Sequence, residues 1–234
     1  MARFALGNVT RSNLIICCAS ERSMHYAWLD GDPHRNWDLY LAPYRRVLPA
    51  HPHVIPTGRI KAAKKYVVLD NLLSARRGRG WWRGYRNIML VDEDIFAMPE
   101  TWSRFFDWTD KLDDMTMAAP ALTPNSVFSH QVTVQQPGCC VRRVSFIETM
   151  MPCFRAETLE KLLPTFLADP TGSGWGIDYA WAKLLDYRGI YVVDATPVTH
   201  WRPNIHDRSY WPEAEAVLAK YQAERIEQTY EVVR

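Results

Sequence analysis

NIMLVDED, residues 87–94, gives the strongest indication of the fold. It begins with Asn87 and continues as an apolar run up to Val91. A short continuous run of this kind is typical of a strand buried on both faces of a parallel sheet. Three acidic residues follow at once, and in an open α/β sheet ligands bind beyond the carboxyl ends of the strands. The stretch therefore predicts an acidic ligand site at the edge of a sheet.

The segments on either side of this strand alternate between strand-like and helix-like patterns. The expected elements are strands at 13–20, 38–41 and 115–122, and helices at 21–29 with Ser20 as N-cap, at 57–73 and from Pro99 onward. Alternation of this kind predicts an α/β fold with a mostly parallel sheet flanked by helices.

The second half of the chain mixes strands and helices less regularly. There we expect a hairpin between 129–134 and 141–148, helices at 156–167 and 177–184, short strands at 190–193 and 198–200, and a terminal helix at 212–228. No stretch has the composition of a linker, so we predict a single domain over residues 1–234.

Composition and charge exclude several classes of protein. The 234 residues carry a net charge of +2, which is too small to make nucleic acid or an anionic membrane the main partner. The five cysteines form no C-x-x-C pair, which argues against zinc and a disulfide framework and favours a reducing compartment. No stretch approaches the roughly 20 apolar residues that cross a bilayer, and no signal-peptide pattern is present. We therefore expect a cytoplasmic protein.

The acidic run after the central strand has the chemistry of a metal site. Asp92 and Asp94 are one residue apart, and paired carboxylates suit a hard cation that bridges a diphosphate. His200, in the segment THWRP, is a candidate third ligand, and carboxylates with one imidazole suit Mn²⁺ better than Mg²⁺. Arg202 beside it can bind phosphate. The alternatives are a solvated acidic turn and a histidine that only forms structural hydrogen bonds.

A glycine-rich segment, GSGWGID, carries the candidate base. Its glycines can let the backbone approach a ligand, and Asp178 falls in the first turn of the following helix. The helix dipole favours the ionised carboxylate there, which can act as a general base; an ordinary capping aspartate is the alternative. The segment 128–134 and Glu148 are candidates for lining an acceptor site; buried pairing is the alternative for the Val and Phe residues.

One face of the helix predicted at 57–73 is basic. Its cationic residues are Arg59, Lys61, Lys64 and Lys65. Such residues pair readily with phosphate, and a solvated surface is the alternative.

The order of these blocks resembles GT-A glycosyltransferases. It is most similar to a widespread plant and bacterial family of GT-A-like domains of unknown function, in the blocks VDED, SHQVTV, ETMMPCF and WGID. The likeness covers residues 13–204. It implies a Rossmann-like nucleotide-sugar half at about 13–122, an acceptor half at 123–204 and a C-terminal helix at 205–234.

The resemblance also implies roles for particular residues. Asp94, supported by Asp92, would hold Mn²⁺ or Mg²⁺ and the donor diphosphate, with His200 as a further ligand, and Asp178 would be the base. The expected donor contacts are Ser20, Glu21, Lys64, Asp92, Glu93, Trp175, Gly176 and Arg202. The commonest base motif of such enzymes is W-G-G-E-D, whereas Ile177 precedes Asp178 here, so the base assignment stays open.

The sequence thus predicts a metal-dependent glycosyltransferase that moves a sugar from a UDP- or GDP-sugar to a carbohydrate hydroxyl with inversion. One alternative is a haloacid-dehalogenase-like phosphohydrolase, which also places D-x-D after a buried strand. That class usually has Thr or Val at the position where this chain has Phe96. Its nucleophile strand also usually comes early in the chain, whereas here other elements precede the strand. A second alternative is a non-catalytic carbohydrate-binding protein, which the ten tryptophans would allow.

Overall fold

A computed structural model describes residues 11–44, 46, 48–55, 64–74, 80–169, 171–202 and 210–233. Within them ten strands form one sheet. The strands are β1 (Asn13–Ala19), β2 (Trp37–Pro43), β3 (Val54–Ile55), β4 (Asn87–Val91), β5 (Ile95–Phe96), β6 (Met117–Leu122), β7 (Val141–Val144), β8 (Cys153–Arg155), β9 (Ile190–His200) and β10 (Thr229–Val233). The helices are α1 (Lys65–Leu73), α2 (Pro99–Thr109), α3 (Ala156–Leu162), α4 (Ile177–Leu184) and α5 (Trp211–Tyr221).

The sheet is mostly parallel at its centre. Its order is β10-β7-β9-β6-β8-β4-β1-β2-β3, with β5 paired to β9. Strands β1 to β4 run parallel, and β6 runs parallel to β9. Because β8 is antiparallel to both β4 and β6, the two parallel groups point the same way. The fold class predicted from the sequence, an α/β sheet flanked by helices with a mixed second half, is confirmed.

Burial explains why the central segments form these elements. Every residue of β4 is at most 1% exposed, as expected for a parallel strand covered on both faces. Helix α2 begins with Pro99 in its first turn, where the missing N–H costs nothing. Its residues Trp102, Phe105 and Phe106 are fully buried, so the apolar spacing predicted the helix and its inner face correctly.

The segment after β1 differs from its prediction. Instead of a helix over 21–29, only Met24–Trp28 forms a single 3-10 helix, and its N-cap is Ser23 rather than Ser20. The backbone N–H groups of Ser20 and Met24 donate to the side chain and the carbonyl of Glu93. These bonds tie the loop to the end of β4, so the chain turns there before it becomes helical.

The hairpin predicted between 129–134 and 141–148 is wrong. Gln131–Thr133 is a 3-10 turn, and β7 pairs with β9 and β10 instead. The buried guanidinium of Arg142 donates to the carbonyls of Val132 and Val134 at 2.9 and 2.8 Å. It therefore occupies the acceptors that a hairpin ladder would have used.

Two other boundaries also differ. The strands predicted at 190–193 and 198–200 are one strand, β9, whose pairing with β6 shifts register near Pro120. The terminal helix ends at Tyr221 because Gln222 is left-handed, at φ +51°, and β10 follows. Residues 57–63 of the predicted basic helix lie outside the described residues, as do residues 205–209 of the C-terminal helix at 205–234 that the resemblance implies. No helix in the described part of the chain is long and apolar enough to cross a membrane.

Candidate functional site

A cavity of about 920 Å³ opens at the edge of the sheet. The carboxyl ends of β4 and β9 lie at this edge, and they carry Asp92 and Asp94 from one side and His200 from the other. The N-terminal turn of α4 contributes Asp178 to the same cavity. The location fits the rule that open α/β sheets bind ligands beyond their strand ends.

Asp94 and His200 are brought together by a short ladder. Strand β5 pairs antiparallel with the end of β9, with Ile95 opposite His200, and the N–H of Trp201 donates to the carbonyl of Asp94 at 3.1 Å. Imidazole Nε2 of His200 therefore lies 3.5 Å from Asp94 Oδ2. We call Asp92, Asp94 and His200 the cation edge.

The electrostatics of this pair are mutual. Burial by itself raises the pKa of Asp94, but the hydrogen bond and charge of His200 outweigh it and lower that pKa. Burial lowers the pKa of His200, but Asp94 and the Val127 carbonyl outweigh it and raise that pKa. Nδ1 of His200 lies 2.7 Å from the Val127 carbonyl oxygen, which can only accept. Nδ1 therefore carries a proton, and Nε2 is the nitrogen that faces the carboxylate.

Asp92 has a lysine partner. Its Oδ1 lies 2.7 Å from Lys65 Nζ, and the same ammonium donates to the carbonyl of Thr149 at 2.5 Å. Removal from water raises the pKa of Asp92, which Lys65 opposes and Asp94 reinforces. The sequence pointed to a basic helix face, but not to which lysine reaches the carboxylates.

The cation edge fits a divalent metal as a two-ligand protein site. Among the described residues, no group of three or more His, Cys, Asp or Glu side chains is arranged to hold a metal. Asp94 and His200 face each other, and a backbone carbonyl orients the imidazole, as in metal-binding histidines. Mg²⁺-type sites commonly combine one or two carboxylates with substrate phosphates. This donor set therefore matches a cation that a diphosphate helps to hold.

Glu93 has a structural role. Its carboxylate accepts hydrogen bonds from the Ser20 N–H at 2.6 Å, from Tyr44 Oη at 2.9 Å and from Arg202 Nη1 at 3.0 Å. It therefore joins the loops after β1, β2 and β9 behind the cavity. Arg202 also donates to the carbonyl of Arg22 at 2.6 Å.

The Cβ positions of two glycines in the glycine-rich loop point toward protein rather than into the cavity. Gly172 and Gly174 have φ of +66° and +82°, a region that favours glycine. A Cβ on Gly174 would lie 2.2 Å from the Tyr66 ring, and one on Gly172 would lie 2.4 Å from Val67. The expected close approach is therefore made to helix α1, and it sets where α4 begins.

Asp178 lies in the first turn of α4 and is only 9% exposed. The N–H of Tyr179 donates to its Oδ1 at 3.0 Å. The sequence predicted that the helix dipole would favour the ionised form at an accessible position. Instead burial dominates and raises the pKa of Asp178 to about 6, although His130 opposes the shift.

Three further groups surround Asp178 in the cavity. His130 Nε2 lies 3.6 Å from Glu148 Oε1, and its Nδ1 lies 2.7 Å from Glu227 Oε1. The hydroxyl of Tyr179 donates to the same Glu227 oxygen. We call His130, Glu148, Asp178 and Glu227 the acidic cluster. Burial raises the pKa of Glu148 to about 7.

Two stacked aromatic rings lie next to the cavity, and one of them, Trp175, lines it. The rings of Trp175 and Tyr210 stack at 5.9 Å with an interplanar angle of 8°. Lys64 Nζ donates to Tyr210 Oη at 2.7 Å and lies over the same ring. Trp175 is 37% exposed, so its indole offers an apolar face.

The structure brings most of the predicted site residues to one cavity. Those that line it are Asp92, Asp94, Trp175, Gly176, Asp178, His200 and Arg202. Ser20, Glu21, Lys64 and Glu93, all described, do not line it; Ser20 is buried and Glu21 is exposed in the turn after β1. Arg59 and Lys61 lie outside the described residues.

Sequence reasoning missed Glu227, Tyr179 and the role of Lys65. Glu227 was expected within a helix, and no local pattern relates it to His130. Glu148 and the segment of His130 were expected to line an acceptor site, and both residues line the cavity. Tyr179 directly follows Asp178 in the sequence, and this adjacency was the signal that could have pointed to it.

No protein-family model and no curated protein matches the chain. The closer resemblance to the plant and bacterial family therefore stays a prediction.

Solved structures of TarS, a GT-A-like glycosyltransferase of S. aureus, are similar in fold. The TarS structure has a TM-score of 0.55 at 8% identity, covering 89% of this chain and 39% of that one. TarS 1–349 in complex with UDP-GlcNAc gives 0.54 at 9%, covering 90% and 66%. TarS 1–349 alone gives 0.51 at 8%, covering 80% and 59%. The chain thus spans about 39 to 66% of the length of these neighbours, and its mixed α/β fold is similar to theirs.

Proposed function

We propose that this chain is a metal-dependent glycosyltransferase that moves a sugar from a nucleoside-diphosphate sugar to a hydroxyl of a carbohydrate acceptor. One observation carries the proposal: a single cavity at the strand ends is lined both by the cation edge and by Asp178. A transferase needs a site for the leaving diphosphate and a base for the acceptor within reach of the same sugar carbon.

The donor side of the proposal rests on charge. Asp94 and His200 would hold Mn²⁺ or Mg²⁺, with Asp92 in support. When bound, such a cation stabilises the negative charge that develops on the departing diphosphate. Lys65 contacts Asp92, and Arg202 lines the cavity and acts electrostatically on Asp94; both side chains can donate to phosphate oxygens. The structure of TarS 1–349 with UDP-GlcNAc is a complex of a neighbour in fold with such a donor, which supports a nucleotide sugar; the nucleotide stays open between UDP and GDP.

The acceptor side rests on Asp178. A buried carboxylate whose pKa is raised to about 6 remains ionised at neutral pH and is a stronger base than an ordinary aspartate. It would take the proton of the acceptor hydroxyl as that oxygen attacks the anomeric carbon through an oxocarbenium-like state. A single displacement of this kind inverts the anomeric configuration, which NMR of the product reads directly.

A thermal-shift screen tests the donor site. UDP, GDP and their sugars are added with and without Mn²⁺, to the wild type and to Asp94→Asn. A ligand present at about 100 times its Kd adds about 2.7 kcal/mol to the free energy of unfolding, which raises Tm by several degrees. We expect this rise only with nucleotide and Mn²⁺ together, and only in the wild type.

Controls separate the rival functions. A Tm rise with nucleotide that is the same without Mn²⁺ contradicts the metal site. Hydrolysis of an aryl phosphate that depends on Asp92 favours the phosphohydrolase, and sugar binding without any nucleotide favours the non-catalytic carbohydrate-binding protein.

A further inference from the structure

Glu148 is an unusual carboxylate in this cavity. Its side chain is 11% exposed, and its Oε2 is buried with no hydrogen-bond partner among the described residues. A charged oxygen without water or a donor is costly, whereas a neutral carboxyl group tolerates such a position far better. The geometry therefore favours the protonated form of Glu148.

The groups that face Glu148 come from four segments. His130 precedes the 3-10 turn, Asp178 lies on α4, His200 ends β9 and Glu227 precedes β10. Burial is the largest influence and raises the pKa of Glu148; Asp178 and Glu227 add to the rise, while His130 and His200 oppose it. Arg225 also lines the cavity, and its guanidinium is engaged by Glu215 at 2.7 Å.

His130 lies between the carboxyl groups of Glu148 and Glu227. Its Nδ1 lies 2.7 Å from Glu227 Oε1, and this carboxylate can accept a hydrogen bond from an Nδ1–H group. Its Nε2 faces Glu148 Oε1 at 3.6 Å. A carboxylate that fixes the tautomer of a histidine through Nδ1 is a recurrent device in catalytic sites.

Asp178 differs from Glu148 in a way that separates their protons. The N–H of Tyr179 donates to Oδ1 of Asp178, and the first turn of α4 adds the positive end of a helix dipole. Both stabilise a negative charge on Asp178. Among the described residues, no hydrogen-bond donor would stabilise a charge on Glu148 Oε2. Two carboxyl groups whose surroundings differ in this way take different protonation states at one pH.

We propose that Glu148 works as the protonated partner of Asp178: its carboxyl group binds the acceptor hydroxyl by hydrogen bonding, while the ionised Asp178 takes the proton of that hydroxyl. This inference rests on the proposed function. In the transfer step the bond from the anomeric carbon to the diphosphate oxygen breaks, and its electron pair leaves with the diphosphate. The acceptor oxygen bonds to that carbon, its proton moves to Asp178, and Glu148 keeps its own.

Infrared spectroscopy tests the protonation state without any substrate. The carbonyl-stretch band of a protonated carboxyl group is recorded at about neutral pH and through an alkaline titration. We expect a band in the wild type that disappears on titration, is absent from Glu148→Gln, and is retained in Glu157→Gln, whose carboxyl is exposed on α3. A spectrum at neutral pH that is unchanged by Glu148→Gln overturns the proposal.

Donor turnover in the presence of acceptor tests the role. Glutamine keeps a hydrogen-bond donor and acceptor but cannot ionise, so Glu148→Gln should retain at least about tenfold more activity than Glu148→Ala. It should also lose the decline of activity at alkaline pH that ionisation of Glu148 causes in the wild type.

The possible outcomes separate the two proposals. Equal loss of activity in Glu148→Gln and Glu148→Ala, with an active wild type, would mean that Glu148 acts as a carboxylate and would overturn this inference alone. A wild type that turns over no nucleotide sugar overturns the proposed function, and with it the role given to Glu148. The infrared band then still reports its protonation.

Discussion

The cation edge and the acidic cluster face the same cavity but differ in how their charges are balanced. At the cation edge the charges are matched: Lys65 lies 2.7 Å from Asp92, and His200 lies 3.5 Å from Asp94. In the acidic cluster, three carboxylates converge on the single imidazole of His130 among the described residues. At the cation edge each carboxylate has a cationic or imidazole partner, whereas in the acidic cluster burial raises the pKa of Asp178 to about 6 and that of Glu148 to about 7. On the proposed function, the first region would bind the cation and the diphosphate, and the second would transfer the proton.

The largest expected effect is on turnover, in the acidic cluster. Asp178→Asn removes the base but keeps the shape of the side chain, so transfer should fall by about 10² to 10⁴-fold. Nucleotide binding at the cation edge should remain. Steady-state kinetics with a nucleotide sugar measures the first, and calorimetric titration of nucleoside diphosphate with Mn²⁺ measures the second.

Asp113→Asn is the matched control for that variant, because Asp113 is exposed in the turn before β6, at the opposite end of the parallel strands. Wild-type turnover in Asp178→Asn would remove Asp178 from the mechanism.

The two regions also differ in how far the sequence predicts them. Asp92 and Asp94 follow a five-residue buried strand, so local pattern alone placed these two carboxylates at the edge of the sheet. The acidic cluster brings together residues 130, 148, 178 and 227, and no spacing rule relates them. Its geometry depends on pairings such as β7 with β10, which the predicted hairpin and terminal helix had wrong. Strands β1, β4 and β6 and helix α2 were predictable because their apolar residues follow one period.

A buried ion pair supports the acidic cluster from a distance. Arg142 and Asp194 are fully buried and paired at 2.8 Å, and Arg142 also binds the carbonyls of Val132 and Val134, close to His130. Arg142→Met leaves Asp194 as an unpaired buried charge, which should lower the free energy of unfolding by about 3–5 kcal/mol.

Urea denaturation measures this loss. The control is Arg83→Met, which breaks the exposed pair with Glu160 and should lower the free energy of unfolding far less, because solvent screens an exposed ion pair. Equal losses in the two variants would mean that the buried pair contributes no more than a surface pair.

The stability of the acidic cluster should depend on pH. Folding raises the pKa of Glu148 from 4.5 to about 7, so its ionisation destabilises the native state fully above about pH 7, and the penalty disappears as the pH falls toward 4.5. Glu148→Gln should therefore be the more stable protein above about pH 7, by about 2–3 kcal/mol, and lose that advantage in acid. Thermal unfolding of both proteins across this range measures it; an advantage that is independent of pH would contradict the raised pKa.

The smallest expected effect separates two adjacent lysines. Lys65 contacts Asp92, whereas Lys64 contacts Tyr210. Lys65→Met should weaken nucleoside-diphosphate binding about tenfold, as for one lost charge-assisted hydrogen bond, and Lys64→Met should weaken it less. Calorimetric titration of both variants measures the ratio; equal affinities would mean that Lys65 serves only to pair with Asp92.

A crystal of the protein soaked with Mn²⁺ and UDP or GDP shows directly whether Asp94 and His200 share a metal ion. We predict an anomalous peak for manganese between the Asp94 carboxylate and Nε2 of His200, with diphosphate oxygens completing its coordination. Nucleotide bound elsewhere, or manganese absent from these two side chains at saturating nucleotide, would contradict it.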